Sequence, residues 1–167
     1  MKVIEELYEK KKKIFKKENL FSLILILIIY LLDRFSKKKI LSDFSDSTLY
    51  INEFLSFDLI WNTGIGFGLL SFDSYLAHNI ISIFIILIII ILFYIAIVSK
   101  RADNFTFSII IGGALGNLHD RLVYNAVPDF IDLHYGNFHW FTFNVADIFI
   151  TFGIITFIIK DFFIKIK

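Results

Sequence analysis

The feature that most restricts what this chain can fold into is a set of long Ile, Leu and Phe blocks, one of which, 80–98, contains no charged residue. A helix that crosses the hydrocarbon core of a bilayer needs about 20 mostly apolar residues, and lipid offers no water to satisfy open backbone groups. Four segments meet that length, 20–36, 75–98, 105–124 and 141–159, which predicts an all-α membrane protein with four transmembrane helices. With 57% hydrophobic residues in 167, the chain reads as a single membrane domain over 1–167. Its formal net charge of +1 gives no reason to expect a nucleic-acid partner. The absence of cysteine removes disulfides, thiol nucleophiles and cysteine-bound zinc or iron–sulfur centres.

Basic residues set the expected orientation. Lys10 to Lys13, Lys16 and Lys17 precede the first span, Lys100 and Arg101 fill the second gap, and Lys160, Lys165 and Lys167 follow the fourth. Cytoplasmic loops are enriched in Lys and Arg, so both termini are expected in the cytoplasm, although Lys37 to Lys39 oppose this on the other side. The lysine-rich start could be the basic region of a signal peptide, but no small-residue cleavage site follows it. Residues 47–61 mix aromatic and β-branched residues with polar ones, which predicts short strands in a small extracytoplasmic sheet. Residues 125–140 hold the one proline, Pro128, and are expected to form a loop with at most a short surface helix.

The polar residues inside the spans gather at the expected outer end. An ionisable group at membrane depth costs about 2.5–3.5 kcal/mol even on mild insertion scales, so it persists where it has a partner, a cavity or a function. Asp129 lies just past the third span. Asp147 lies inside the fourth, about six residues from its expected start, or roughly 9 Å along a helix. Asn144 and Asp147 share a helix face, which Thr151 extends, and Asn117 and Arg121 share another. Gly112 and Gly116 form a small-xxx-small pair suited to close helix contact. Asp33 and Lys37, four apart, can neutralise each other, and Asp120 beside Arg121 reads as structural.

Two carboxylates in one poorly solvated pocket tend to hold a single proton between them, the working state of an aspartyl peptidase. One carboxylate then activates water while its protonated partner protonates the carbonyl oxygen. Arg121, a permanent cation, could bias that pair or hold a substrate group. A metal centre is not expected: no His-Glu-x-x-His helix occurs, and His119, His134 and His139 read as solvated loop residues. A serine hydrolase lacks its Gly-x-Ser-x-Gly elbow, and the glycine run 64–68 lacks the ending of a phosphate loop and reads as a turn.

Five blocks in order resemble the lipoprotein signal peptidases, also called signal peptidase II. They are Asp33-Arg34-Phe35-Ser36-Lys37, the run from Asn62 to Gly68, the run from Gly112 to Arg121, Val127-Pro128-Asp129-Phe130, and Phe143-Asn144-Val145-Ala146-Asp147. The resemblance covers nearly the whole chain and departs at Ile65-Gly66, where the family more often has two alanines. It implies that Asp129 and Asp147 are the catalytic pair and that Asn117, Arg121 and Asn144 line the site. It further implies that Asn62 and Gly64 lie in an outer loop over the substrate, while Asp33 and Lys37 organise the outer end of the first span. The implied substrate is a diacylglyceryl-modified prolipoprotein, cut just before its lipid-modified cysteine, in the bacterial inner membrane, with no cofactor and no metal. The competing class is a small transporter or scaffold with an ion relay, against which stand the absence of repeats and a polar cluster at one end only. A presenilin-type peptidase lacks its Gly-x-Gly-Asp block here.

Overall fold

A computed structural model describes residues 17–45, 47–64 and 75–165. The first lysine cluster and most of the glycine run 64–68 therefore lie outside the described residues. Among the described residues there are four helices: α1 (Lys17–Asp43), α2 (Tyr75–Val98), α3 (Arg101–Tyr124) and α4 (Val145–Lys165). Over Asn19–Asp43 and His78–Val98 the first two are long and apolar enough to cross a bilayer by length and composition.

The helices pack around α3, which touches each of the other three. Its sequence explains why. Gly112, Gly113 and Gly116 give it a surface on which neighbouring backbones can lie close. A Cβ at Gly112 would stand 2.8 Å from Ile29 of α1, and one at Gly113 would stand 2.6 Å from the Ala146 carbonyl oxygen of α4. On α1 the buried residues Ser22, Ile26, Ile29, Asp33, Lys37 and Ile40 recur every three or four positions, a single stripe turned toward the bundle. Between them Leu23, Leu27, Leu31 and Phe35 face outward, as do Ile83, Leu87, Ile90 and Tyr94 of α2, an apolar exterior suited to lipid.

Helix α1 runs seven residues beyond the expected end near Ser36, to Asp43. Lys37 does not stop it because its charge is satisfied inside the bundle. Helix α4 starts at Val145 rather than near Phe141, so Asp147 sits in its first turn instead of six residues in.

Between the helices lies a four-stranded antiparallel sheet in the order β1 (Leu49–Asn52), β2 (Leu55–Asn62), β3 (Val127–Tyr135) and β4 (Phe138–Phe143). The first hairpin is the one expected from residues 47–61. The second corrects the expectation of a loop over 125–140. Its turn is the two-residue Gly136-Asn137 between the paired Tyr135 and Phe138, with Gly136 at φ 58°, the left-handed value that such a turn asks for at its first position. Asn125 at φ 54° ends α3, its N–H donating to the Arg121 carbonyl, and the chain enters β3 two residues later. The helix cap thereby sets where Asp129 falls.

Candidate active site

Asp129 on β3 is only 3% exposed, and two amides hold its carboxylate. Asn62 Nδ2 donates to Oδ2 at 2.8 Å, and Asn144 Nδ2 donates to Oδ1 at 2.5 Å. Burial, and secondarily the charge of Asp147, push the Asp129 carboxyl up to about 6, with the two amide hydrogen bonds working in the opposite direction.

Asp147 is positioned by a reciprocal cap. Asn144 stands just before α4 and accepts the Asp147 backbone N–H at its Oδ1, while Asp147 Oδ2 accepts the Asn144 backbone N–H, both at 3.2 Å. This is a capping box with an aspartate at the third helical position. Asn117 Nδ2 donates to the other oxygen, Oδ1, at 2.8 Å. The fully buried Asn144 thus bonds both aspartates and fixes one relative to the other.

Behind this pair lies an ion cluster between α1 and α3. Lys37 Nζ, with its residue 1% exposed, donates to Asp33 at 3.0 Å, to Asn117 Oδ1 at 2.9 Å and to Asp120 Oδ2 at 2.7 Å. All three ammonium protons are accounted for. Arg34 clamps Asp120 with both terminal nitrogens, at 2.5 and 2.7 Å, and also donates to Asp33 Oδ2 at 2.8 Å. Asp33 Oδ1 in turn accepts the Ala146 N–H at 3.0 Å, which ties α1 to the first turn of α4. Gly116 makes room for this, since a Cβ there would stand 2.5 Å from Asp33 Oδ2.

The expected Asp33–Lys37 pair is present, and Asp120 is an ion partner of α1 rather than of its neighbour Arg121. Spacing alone gives Arg34 no role of its own. Counting charges at one depth, two acids against Lys37 alone, was the signal that could have found it. Arg121 lies nearby, but its guanidinium donates to backbone carbonyls, Gly64 at 3.0 Å and Asn117 at 3.3 Å. Asn62 joins the same corner, its Oδ1 accepting the Gly64 N–H at 2.9 Å. The seven residues expected to form the site, Asn62, Gly64, Asn117, Arg121, Asp129, Asn144 and Asp147, therefore meet in one hydrogen-bonded constellation.

Six of them, all but Gly64, line a cavity of about 580 Å³ whose remaining wall is apolar but for Thr151: Ile85, Ile88, Ile89 and Leu92 of α2, Phe107, Ile110 and Ala114 of α3, Val127 of β3, and Ile150, Ile154 and Phe157 of α4. Thr151 also lines it, one turn below Asp147 as its helix face requires. From Asp147 to Phe157 the groove follows α4 for ten residues, about 15 Å.

His134 and His139 are not loop histidines. They lie opposite each other on β3 and β4, and His134 is 6% exposed. His119 lies inside α3, with Tyr30 Oη 2.9 Å from its Nδ1.

A buried and a half-buried carboxylate paired at the head of a long apolar groove are the arrangement that an acid–base hydrolase of the aspartic class requires. Comparison with known proteins agrees. Residues 25–163 match the family described as signal peptidase (SPase) II. The lipoprotein signal peptidase of Pelagibacter ubique is 46% identical over 158 residues, covering 93% of this chain and 95% of that protein. That of Anaplasma marginale is 38% identical over 145 residues, covering 85% and 84%. Two solved bacterial membrane enzymes superpose with TM-scores of 0.72 and 0.71 at 28% and 29% identity, over 84% of this chain and 86% and 91% of theirs. The chain belongs to the signal peptidase II family and is a membrane protease of the aspartic type.

Proposed function

We propose that Asp129 and Asp147 are the catalytic pair of a prolipoprotein signal peptidase that cuts just before a diacylglyceryl-modified cysteine. The observation that carries this reading is the Asn144 bridge: one buried residue bonds both carboxylates at the mouth of an apolar groove, Asp129 through its side-chain amide and Asp147 through its backbone N–H. With one proton shared between them, the ionised carboxylate takes a proton from water as its oxygen attacks the scissile carbonyl. The protonated partner gives its proton to the carbonyl oxygen, and when the tetrahedral intermediate collapses a proton passes to the leaving amine. The titration belongs to the pair. No metal or cofactor takes part in this chemistry.

Asn62, Gly64, Asn117, Arg121 and Asn144 bind substrate and orient the pair. The Gly64 carbonyl held by Arg121 keeps the outer corner closed over the cleavage point. Asp33, Lys37 and Asp120 are structural. The apolar groove takes the signal helix or the acyl chains, so that binding energy remote from the scissile bond positions it.

In this reading the chain is one polytopic domain in which all four helices span the bacterial inner membrane. Both termini are cytoplasmic, and the sheet and the catalytic pair lie at the outer face. The supports are the basic flanks of the spans and the lipid-suited exterior of the helices.

The deciding experiment incubates purified wild type, Asp129→Asn and Asp147→Asn with a diacylated precursor and follows the shortened product by gel mobility. Either variant cutting at near the wild-type rate removes that residue from the mechanism. Orientation is tested separately by single cysteines at the exposed positions Asn137 and Lys100, since the chain has no cysteine background. An impermeant thiol reagent added to intact spheroplasts should label 137 and spare 100.

A further inference from the structure

Side chains alternate along a strand, so β3 sends Asp129 to one face of the sheet and Asp132 and His134 to the other. The irregularity in the β2–β3 pairing lies on β2, which takes three steps from Phe57 to Ile60 while β3 takes two from Ile131 to Asp129. The contacts agree: Asp129 meets Asn62 and Asn144, whereas Asp132 meets Ser56, Thr142 and His139. The second face therefore carries a polar cluster that the catalytic pair does not use.

A bulge in β4 assembles it. Pairing runs Asp132↔Thr142 and Leu133↔Phe141, then jumps to His134↔His139 and passes over Trp140. In a regular ladder Trp140 would face His134, so the extra residue turns His139 onto the face of Asp132 and His134. Asp132 Oδ2 is then 2.7 Å from His139 Nδ1 and 3.1 Å from His134 Nδ1. One ligand atom from each of the three residues lies within 4.8 Å of the others.

A second observation points to a ligand. His134 Nδ1 is buried and, among the described residues, has no hydrogen-bond partner, although it lies 3.1 Å from the Asp132 carboxylate. Buried polar atoms are nearly always satisfied, and an imidazole nitrogen left open beside a carboxylate and a second imidazole is a metal-ligand geometry. The His134 Nδ1–Asp132 Oδ2 separation of 3.1 Å is close to the roughly 3.3 Å edge of a tetrahedron whose bonds are about 2.0–2.1 Å, and the 2.7 Å contact of His139 would widen as the ion replaces its hydrogen bond. Ser56 donates to Asp132 rather than to an imidazole, so the cluster is not a serine nucleophile with its base.

We propose that Asp132, His134 and His139 bind one zinc ion, with water in the fourth position. Two imidazoles and one carboxylate suit zinc, whereas calcium and magnesium require all-oxygen shells. His139, whose side chain is 60% exposed, provides the route of entry. The ion clamps β3 to β4, the hairpin that joins the Asp129 strand to the Asn144 cap and Asp147. It lies on the far face from the catalytic pair and takes no part in hydrolysis.

The test uses full-length protein without a histidine tag, stripped by chelator in detergent and titrated with zinc chloride and separately with cobalt chloride. Wild type should take up one zinc per chain, show the intense visible bands of tetrahedral cobalt, and melt at a higher temperature with zinc than without. His139→Ala, at an exposed position the fold does not depend on, should weaken zinc binding at least about tenfold and abolish both the cobalt bands and the thermal shift. His119→Ala and Asp129→Asn should keep wild-type stoichiometry. Absence of stoichiometric zinc in wild type, unchanged affinity in His139→Ala, or loss of zinc in Asp129→Asn would each overturn the proposal. These readouts need no substrate, so their failure leaves the peptidase reading untouched.

Discussion

Two pairs of aspartates lie near each other in this protein, and they are held in opposite ways. Asp33 and Asp120, both 0% exposed, are met by two cations, Arg34 and Lys37. Among the described residues Asp129 and Asp147 have no cation within ion-pairing distance; their bonds come from Asn62, Asn117, Asn144 and a backbone N–H. A carboxylate clamped between cations serves as a strut. One held by neutral amides keeps its place without a fixed counter-charge. Asn117 is the joint between the groups, accepting from Lys37 with its oxygen and donating to Asp147 with its nitrogen.

The same substitution should therefore do different things in the two places. Asp129→Asn and Asp147→Asn should lower cleavage by at least about a thousandfold, the loss expected when one half of an acid–base pair is removed, while leaving the fold intact. Asp120→Asn should mainly unfold the protein. It leaves Arg34 and Lys37 undercompensated in a dry interface, a loss of about 3–5 kcal/mol, read as a large fall in melting temperature in detergent. If Asp120→Asn melts like wild type, the division between strut and catalyst fails.

A pH series sharpens the contrast. The folded-state pKa of Asp129 is raised from 3.8 to about 6, so the folded chain prefers the protonated form. The stability this lends is fully present below pH 3.8 and is lost as pH rises through about 6, at most about 3 kcal/mol. Asp129→Asn cannot ionise and should match or exceed the wild-type melting temperature at pH 7.5, with the advantage vanishing near pH 4. A flat difference between the two proteins across that range would show that Asp129 does not titrate as a buried acid.

The smallest effect is steric. Gly116→Ala would press a methyl group against Asp33 and should cost about 1–3 kcal/mol, with a fall in activity because Asp33 also caps α4. Wild-type melting and turnover in this variant would mean that the contact between α1 and α3 gives way freely.

Much of this arrangement was legible from residue types and spacing. Helix α2 spans the expected 75–98, and the Asn144-x-x-Asp147 spacing put both residues on one face. The failures have two causes. Lys37 looked like a helix end because a lysine at depth is costly, yet its partners Asn117 and Asp120 lie 80 and 83 residues away. The second hairpin is legible in its two-residue Gly136-Asn137 turn, but Pro128 reads as the mark of a loop, and β3 gains its second partner at a distance, Leu133 with Leu55 and Val127 with Asn62. His134 and His139 looked like loop residues for the same reason, and only the pairing in the sheet brings them together.

The bond from the Ala146 N–H to Asp33 reaches across 113 residues of sequence. During synthesis α1 emerges with its acceptor vacant, and α4 must be made before that acceptor is filled. Until then Asp147, its cap and the Asn144 bridge do not exist, and Asp129 stands alone. A ribosome-bound or prematurely terminated chain therefore lacks the Asn144 bridge, and on the proposed mechanism cleavage begins only once the fourth helix has been made.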